Sequence, residues 1–185
     1  MNTTQAHTGD FLIAEPFLKD NSFSRSVVLL CEADVNGALG FIINKSLPHR
    51  LCDLIVEMQG VEFPILYGGP VRMDLMHFLH SIPDKIFGGI AVGDGIYWGG
   101  NFDTMLHLIK TGEANTENLR LILGQSGWTE NQLQSEIHEN TWLSTKAKRR
   151  IVFGSDMENI WKESVRLMGK QYAEIINYPL DPSLN

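Results

Sequence analysis

Runs of almost continuous apolar residues predict that much of this chain forms strands buried on both faces of a sheet. Residues 26–31 and 38–44 show this pattern most clearly. The turn at 34–37 between them contains Asn and Gly, which tolerate positive φ, and it predicts an antiparallel hairpin. The full set of predicted strands covers residues 11–14, 26–31, 38–44, 63–67, 78–81, 90–98 with a turn at 93–95, 119–123 and 151–153.

Apolar residues at intervals of three and four predict four helices between these strands. The first two, residues 50–59 and 102–109, are each followed by a glycine that favours a helix C-terminus. The other two follow capping boxes at 129–132 and 155–158, where a hydroxyl and a Gln or Glu side chain satisfy each other's backbone N–H groups. Each of these last two helices carries an apolar face.

The order of the elements decides the predicted fold class. It lacks the regular β-α-β alternation of a doubly wound sheet, so the sequence predicts an α+β fold with a mixed, mostly antiparallel sheet. The 185 residues correspond to about one domain. We predict a flexible N-terminus at 1–10, one domain at 11–178 and a C-terminal tail at 179–185.

Composition and charge narrow the class of function. No apolar run reaches the ~18 residues that span a bilayer, and the polar first ten residues do not predict a signal peptide. We therefore expect a soluble, cytoplasmic protein without membrane partners. The formal net charge of −7 argues against broad binding to nucleic acid. The basic run at 146–150 is more typical of a solvated face, so direct DNA binding is not expected.

Cysteines and histidines do not predict a metal or cofactor site. Cys31 and Cys52 are interpreted as reduced thiols, and the chain contains no Cys-x-x-Cys motif. His77 and His80 would share one face of a helix, but no third ligand stands at a recognisable spacing. We predict no cofactor and no metal.

The segment 124–128, Gly-Gln-Ser-Gly-Trp, is the one sequence that approaches a catalytic motif. A nucleophile elbow requires glycine two residues before and two residues after the serine, and Trp128 occupies the second position. Only His138 follows, on the next predicted helix, so a catalytic triad is not predicted. We interpret the segment as a tight turn from strand to helix.

Other polar and glycine-rich positions are candidates for ligand binding. The turn at 68–71 either forms a structural turn or presents N–H groups to an anion. The glycines at 93–100 beside two aromatic residues predict close backbone approach or an aromatic groove. Arg25 either pairs with Asp20 or Glu32 or binds a carboxylate or phosphate. The candidate ligand-binding residues are Arg25, Asn44, Gly69, Trp98, Gln125 and Trp128.

A series of motifs in a fixed order resembles the AlgH/YqgE family of bacterial proteins. The motifs lie at 12–18, 23–30, 37–45, 67–71, 79–81, 97–100, 124–128, 132–137 and 142–143, and the match spans about residues 11–153. The resemblance implies a bifurcated sheet wrapped into a pseudo-barrel with flanking helices. It also implies a cytoplasmic bacterial protein with the label of transcriptional regulator, and it carries over no catalytic residues. Gln125 and residues 129–131 depart from the family pattern.

Two classes of function follow. The first is a non-enzymatic regulatory or binding protein that acts through a groove or a protein partner, since no complete catalytic set is present. The alternative is a small-molecule enzyme with a pocket between the loops at 67–71, 93–101 and 124–128. That alternative predicts that Arg25, Asn44, Trp98 and Trp128 converge on one cavity.

Overall fold

The computed structural model describes residues 5–154 and 156–178, which form ten strands and five α-helices. The strands are β1 (Asp10–Ala14), β2 (Val27–Asp34), β3 (Gly37–Ile42), β4 (Ser46–Arg50), β5 (Pro64–Tyr67), β6 (Val71–His80), β7 (Ile90–Gly93), β8 (Ile96–Trp98), β9 (Leu119–Thr129) and β10 (Trp142–Lys146). The α-helices are α1 (Leu51–Leu54), α2 (Phe102–Thr111), α3 (Gln132–His138), α4 (Arg149–Val152) and α5 (Ile160–Leu167). Short 3₁₀ helices cover Val56–Met58, Met157–Asn159 and Lys170–Asn177.

The long strand β9 is the centre of the sheet. The strand order is β10-β1-β2-β3-β9-β6-β8-β7, and β4 and β5 form a branch through pairing of β5 with β9. The first half of β9 pairs with β5 in parallel, whereas its second half pairs with β3 in antiparallel. All the other strand pairs are antiparallel among the described residues. The mixed, mostly antiparallel and bifurcated sheet is therefore confirmed.

The two ends of the sheet curl towards each other. The backbone N–H of Arg149, just after β10, donates to Asp94 Oδ2 in the β7–β8 turn at 2.7 Å. Gly9, next to β1, lies so close to the Val92 carbonyl that a Cβ atom there would stand 2.5 Å from the oxygen. These contacts close the curved sheet into a pseudo-barrel, and the helices flank it, as the resemblance implied.

Alternation along the central strands creates two apolar faces. Phe11 and Leu29 pack with α4 and α5 on one face, whereas Leu12 and Val28 pack with α3 on the other. A third apolar cluster joins β5, β6 and the first half of β9 to α1 and α2. Continuous apolar runs in β1 and β2 are thus explained by burial on both sides, because successive side chains point to opposite faces.

Several predicted elements are corrected by the structure. Residues 151–153 belong to α4 and the turn after it rather than to a strand, because a short apolar run fits either element. Residues 124–128 continue β9 instead of forming a turn into a helix. The helix predicted at 50–59 is broken at Ile55, whose backbone is extended. Strands β4 and β10 were not predicted.

The two predicted capping boxes also differ from the observed caps. Asn131 is the N-cap of α3, and the Gln132 side chain reaches back to the Thr129 N–H at 3.0 Å. Ser155 lies outside the described residues. Asp156 caps the following 3₁₀ helix by accepting from the Asn159 N–H at 3.2 Å. The predicted domain boundaries at 10 and 178 stay a prediction, and the tail at 179–185 lies outside the described residues.

His80 is fully buried, and its hydrogen bonds favour the neutral imidazole. Its Nδ1 accepts from the Ile82 N–H at 3.3 Å, and its Nε2 lies 3.1 Å from the Gly99 carbonyl oxygen, which assigns the proton to Nε2. Burial lowers the pKa of His80, and this effect exceeds the opposing one of the Gly99 carbonyl. Protonation of Nδ1 would replace its hydrogen bond to Ile82 with a contact between two donors.

We therefore expect the free energy of unfolding to fall in mild acid. The unfolded chain takes up a proton on His80 near pH ~6.5, while the folded chain resists it, so this stabilisation is present above that pH and is lost as the pH falls through the folded pKa. The slope attributable to one such group is at most ~1.4 kcal/mol per pH unit. Urea unfolding across this pH range measures it.

Two variants assign this pH dependence. His80→Gln is expected to flatten the profile, whereas replacement of the exposed His49 by Gln leaves it unchanged. His77, whose pKa is lowered by burial and by Arg72, adds to the same trend. A profile of His80→Gln that matches the wild type would contradict the assignment to His80.

Candidate functional site

Arg25 and Asn44 are neighbours with structural hydrogen bonds. Asn44 accepts from the Val27 N–H at 2.8 Å and donates to the Arg25 carbonyl at 2.9 Å, which holds the backbone before β2. The Arg25 guanidinium lies 4.8 Å from the centre of the Trp161 ring and donates to the Tyr178 carbonyl. Its partner is thus a carbonyl, instead of the expected carboxylate of Asp20 or Glu32.

Gly69 and Gln125 meet where the chain at 67–71 crosses β9. Val71 pairs with Gln125, and a Cβ atom on Gly69 would lie well inside 3.0 Å of the Gln125 carbonyl and the Ser126 hydroxyl. The structure therefore brings the loops at 67–71 and 124–128 together as a closely packed crossing. The glycines there permit contact between two backbones.

Trp98 and Trp128 belong to different apolar clusters. Trp98 contacts Phe41 and His77, with ring centres 5.6 and 6.1 Å away, in the cluster beside α5. Trp128 packs in the cluster beside α3. Among the described residues, the surface has three partly open cavities that matter here, and none of these three is lined by residues from 67–71 or 93–101.

One of these cavities contains a predicted candidate, Trp128, and we call it the aromatic–carboxylate pocket. Its volume is about 320 Å³, within the range typical of small-ligand sites. It lies between the loop before β2, the end of β9, α3 and the start of β10. The lining residues are Leu18, Asp20, Phe23, Gly127, Trp128, Gln132, Glu136, Thr141 and Trp142.

Glu136 is the central polar residue of this pocket. Its Oε2 accepts from the indole N–H groups of both Trp128 and Trp142, each at 2.8 Å. Its Oε1 accepts from the Gln132 amide at 3.0 Å, one helical turn earlier on α3. Three neutral donors therefore fix the carboxylate in one orientation, and none of them cancels its charge.

Three aromatic rings form one wall of the pocket. The Phe23 and Trp142 ring centres are 5.5 Å apart, those of Trp128 and Trp142 are 5.9 Å apart, and both pairs are edge-to-face. Trp128 is 7% exposed and Trp142 is 2% exposed, while Phe23 is half-buried. The Trp rings are therefore fixed, and Phe23 offers the more accessible aromatic surface.

The pocket is negatively charged. Asp20 is exposed at its edge, and its Oδ1 accepts from the Ser22 N–H at 2.8 Å. No Lys, Arg or His is among the described residues that line it. The Lys45 ammonium, which donates to the Asn21 and Ser22 carbonyls, interacts with the charge of Asp20. Glu136, in contrast, has no cation beside it among the described residues of the lining. Aromatic faces and such a carboxylate attract cations, so the arrangement is suited to a positively charged group.

Glu136 falls on the helix predicted after residues 129–132, and neither it nor Phe23 nor Asp20 is among the predicted ligand-binding residues. One signal was available: Glu136 falls among the apolar positions Leu133 and Ile137, where an ionisable residue needs a partner. The two partners are tryptophans from β9 and β10, and the sequence does not show which indoles reach α3. Strand β10 itself was not predicted.

Two cations of the basic run at 146–150 form ion pairs within the chain. In the basic run, Lys146 pairs with the buried Asp10 at 2.7 Å and Arg150 pairs with Glu163 at 3.2 Å.

His77 and His80 lie on β6, where residues three apart point to opposite faces, so they do not share the face of a helix. Within 5–154 and 156–178, no three His, Cys, Asp or Glu side chains are grouped to hold a metal ion. No helix in this described part is long and apolar enough to cross a bilayer.

Comparison with known proteins identifies the family to which this chain belongs. Residues 11–173 match the family model DUF179, described as AlgH-like. A UPF0301 protein of Chlorobium limicola is 39% identical over 177 residues, which cover 96% of this chain and 95% of the relative. The chain therefore belongs to the AlgH-like family, as its motifs implied.

Two solved structures share the fold. A crystal structure of a Corynebacterium diphtheriae protein matches with a TM-score of 0.80 at 18% identity, covering 96% of this chain and 95% of the other. The solution structure of the AlgH protein from Pseudomonas aeruginosa matches with a TM-score of 0.74 at 24% identity, covering 97% of both chains. At these identities the likeness concerns the architecture alone.

Proposed function

We propose that this chain is a non-enzymatic regulatory protein that binds a partner protein by receiving one of its cationic side chains in the aromatic–carboxylate pocket. The observation that carries the proposal is the Glu136 carboxylate, which is fixed by two indole N–H groups and one amide while its negative charge has no cationic partner in the pocket lining. A fixed carboxylate beside aromatic rings is prepared for a cation without further ordering.

The charge distribution supports a basic partner and gives DNA no direct role. The net charge of −7 attracts a basic surface at long range and repels phosphates. Two of the cations in the basic run, Lys146 and Arg150, already form ion pairs within the chain. The regulatory role implied by the family resemblance would then be exerted in the cytoplasm through the captured protein.

Titration of the full chain with short capped peptides tests the proposal. Peptides with a central arginine, lysine or trimethyllysine are compared with glutamate and norleucine peptides. We expect saturable binding of cationic peptides with Kd values of the order of 1 mM, since one side chain supplies most of the contact. The NMR signals of the Trp128 and Trp142 indole N–H groups should shift, because both donate to Glu136, while the Trp161 indole, bonded to Ala14, serves as an internal reference.

Matched variants assign the binding to the pocket. Glu136→Gln removes the charge at constant shape and is expected to weaken binding about tenfold. Glu139→Gln removes an exposed charge at the end of the same helix and should change the affinity less than about twofold. Binding that is absent for every cation, or unchanged in Glu136→Gln, would reject the proposal, as would enzyme-like turnover of a panel of esters, phosphates and nucleotides.

A further inference from the structure

We infer that the cation bound in the aromatic–carboxylate pocket is the guanidinium of an arginine within a partner polypeptide. This inference rests on the proposed function and specifies its ligand. It follows from three features of the pocket: the arrangement of its hydrogen-bond acceptors, the contacts among its rings and the sign of its charge.

The pocket offers several acceptors and few donors. Glu136 Oε2 is occupied by two indole N–H groups, but Oε1 has a single donor and can accept another. Asp20 offers a second carboxylate: its Oδ1 accepts from the Ser22 N–H, and its charge is shared with the nearby Lys45 ammonium rather than cancelled by a direct ion pair among the described residues. Thr141 also lines the cavity, and its hydroxyl is a further potential acceptor. A guanidinium has five N–H groups in a rigid fork that serves separate acceptors, whereas an ammonium is a point charge and a quaternary ammonium has no donor.

The aromatic rings do not form an open cage. Ring centres of Phe23, Trp128 and Trp142 lie 5.5 to 6.4 Å apart, which is the distance of direct ring contact. A trimethylammonium group is recognised by rings that surround it, and here the rings fill the space between themselves. A flat guanidinium needs only one accessible face, and the half-buried Phe23 provides it.

The charge of the pocket favours a side chain over free arginine. The α-carboxylate of the free amino acid would approach Asp20 and Glu136, and like charges repel in a partly desolvated site. Within a polypeptide the same arginine carries no α-carboxylate charge. Its aliphatic stem would then pass Leu18 at the wall of the cavity.

Competition among matched ligands tests the inference. The probes are capped tripeptides that carry arginine, lysine, trimethyllysine or citrulline between glycines, together with free arginine. We expect the arginine peptide to bind about tenfold more tightly than the lysine and trimethyllysine peptides, as charge-assisted bonds to two carboxylates require. Citrulline, which has a similar shape without the charge, should not bind measurably.

The Asp20→Asn variant provides a second readout that does not alter the interior. Asp20 is exposed, so the variant should fold normally and lose most of the preference for arginine over lysine, while Glu139→Gln retains it. Equal or tighter binding of lysine or trimethyllysine would overturn the inference and leave the proposed function intact. Equal binding of free arginine would overturn the assignment to a polypeptide, and failure of every cation would overturn both proposals.

Discussion

Replacing Gly68 with alanine is expected to lower the free energy of unfolding by about 3 kcal/mol, which is at the high end for overpacking. Gly68 is buried where the chain crosses β9, and its N–H donates to the Leu123 carbonyl at 2.9 Å. A Cβ atom there would fall well inside 3.0 Å of both the Gly124 carbonyl and the Ile122 side chain. The first is backbone, so the clash cannot be relieved by a change of rotamer.

Gly127→Ala is the matched control, and urea unfolding measures both variants. Gly127 lies on β9, the strand that the chain crosses at Gly68, and the nearest atom to an added Cβ on Gly127 is the Ala38 carbonyl oxygen at 3.9 Å. The control should change stability by no more than about 0.5 kcal/mol. If Gly68→Ala were as stable as Gly127→Ala, the crossing would have to be looser than its geometry indicates.

The Arg120→Met variant is expected to lose about 3 kcal/mol of stability, because three backbone carbonyls would lose a charged donor. Arg120 is 5% exposed, and it donates to Val152 at 3.0 Å, to Gly154 at 2.5 Å and to Thr116. Burial lowers its pKa to about 10, so it remains charged at neutral pH. This one side chain ties β9 to the end of α4.

Two further variants isolate the cause of this loss. Arg120→Lys keeps the charge but cannot reach three carbonyls in one plane, and it should recover only part of the stability. Arg166→Met removes an exposed ion pair with Glu163 and should cost at most about 1 kcal/mol. Urea unfolding distinguishes them, and full stability in Arg120→Lys would show that charge alone suffices.

Elements with strong local signals were predicted well. The strands at 11–14 and 26–31, the turn at 34–37 and the helix at 102–109 all appear close to their predicted places. The periodic pattern that predicts each of these elements lies within a few consecutive residues, so the local sequence is sufficient to predict the element. Residues 151–153 failed because three apolar residues are buried equally well in a strand or in a short helix.

Most residues of the candidate site could not be predicted from the local sequence. Trp128 was predicted from its glycine-rich motif, but Asp20, Phe23 and Glu136 gain their proposed role only from the tertiary arrangement. Trp98 carried a similar aromatic and glycine signal, and it packs in another cluster. A glycine–tryptophan motif shows that a tight backbone and an aromatic ring are adjacent in the sequence. It does not show which other elements the ring packs against in the folded protein.

The sequence by itself determined the α+β class, most of the strands and the membership in the AlgH-like family, because these depend on periodicity and on motifs within short stretches. Only the tertiary structure decided that the glycines at 68, 69 and 124 lie at a crossing of two backbones and that one carboxylate receives two indoles from different strands. Such contacts join residues far apart in the chain, and the topology of the curled sheet sets their positions. The local sequence pattern therefore does not predict these contacts.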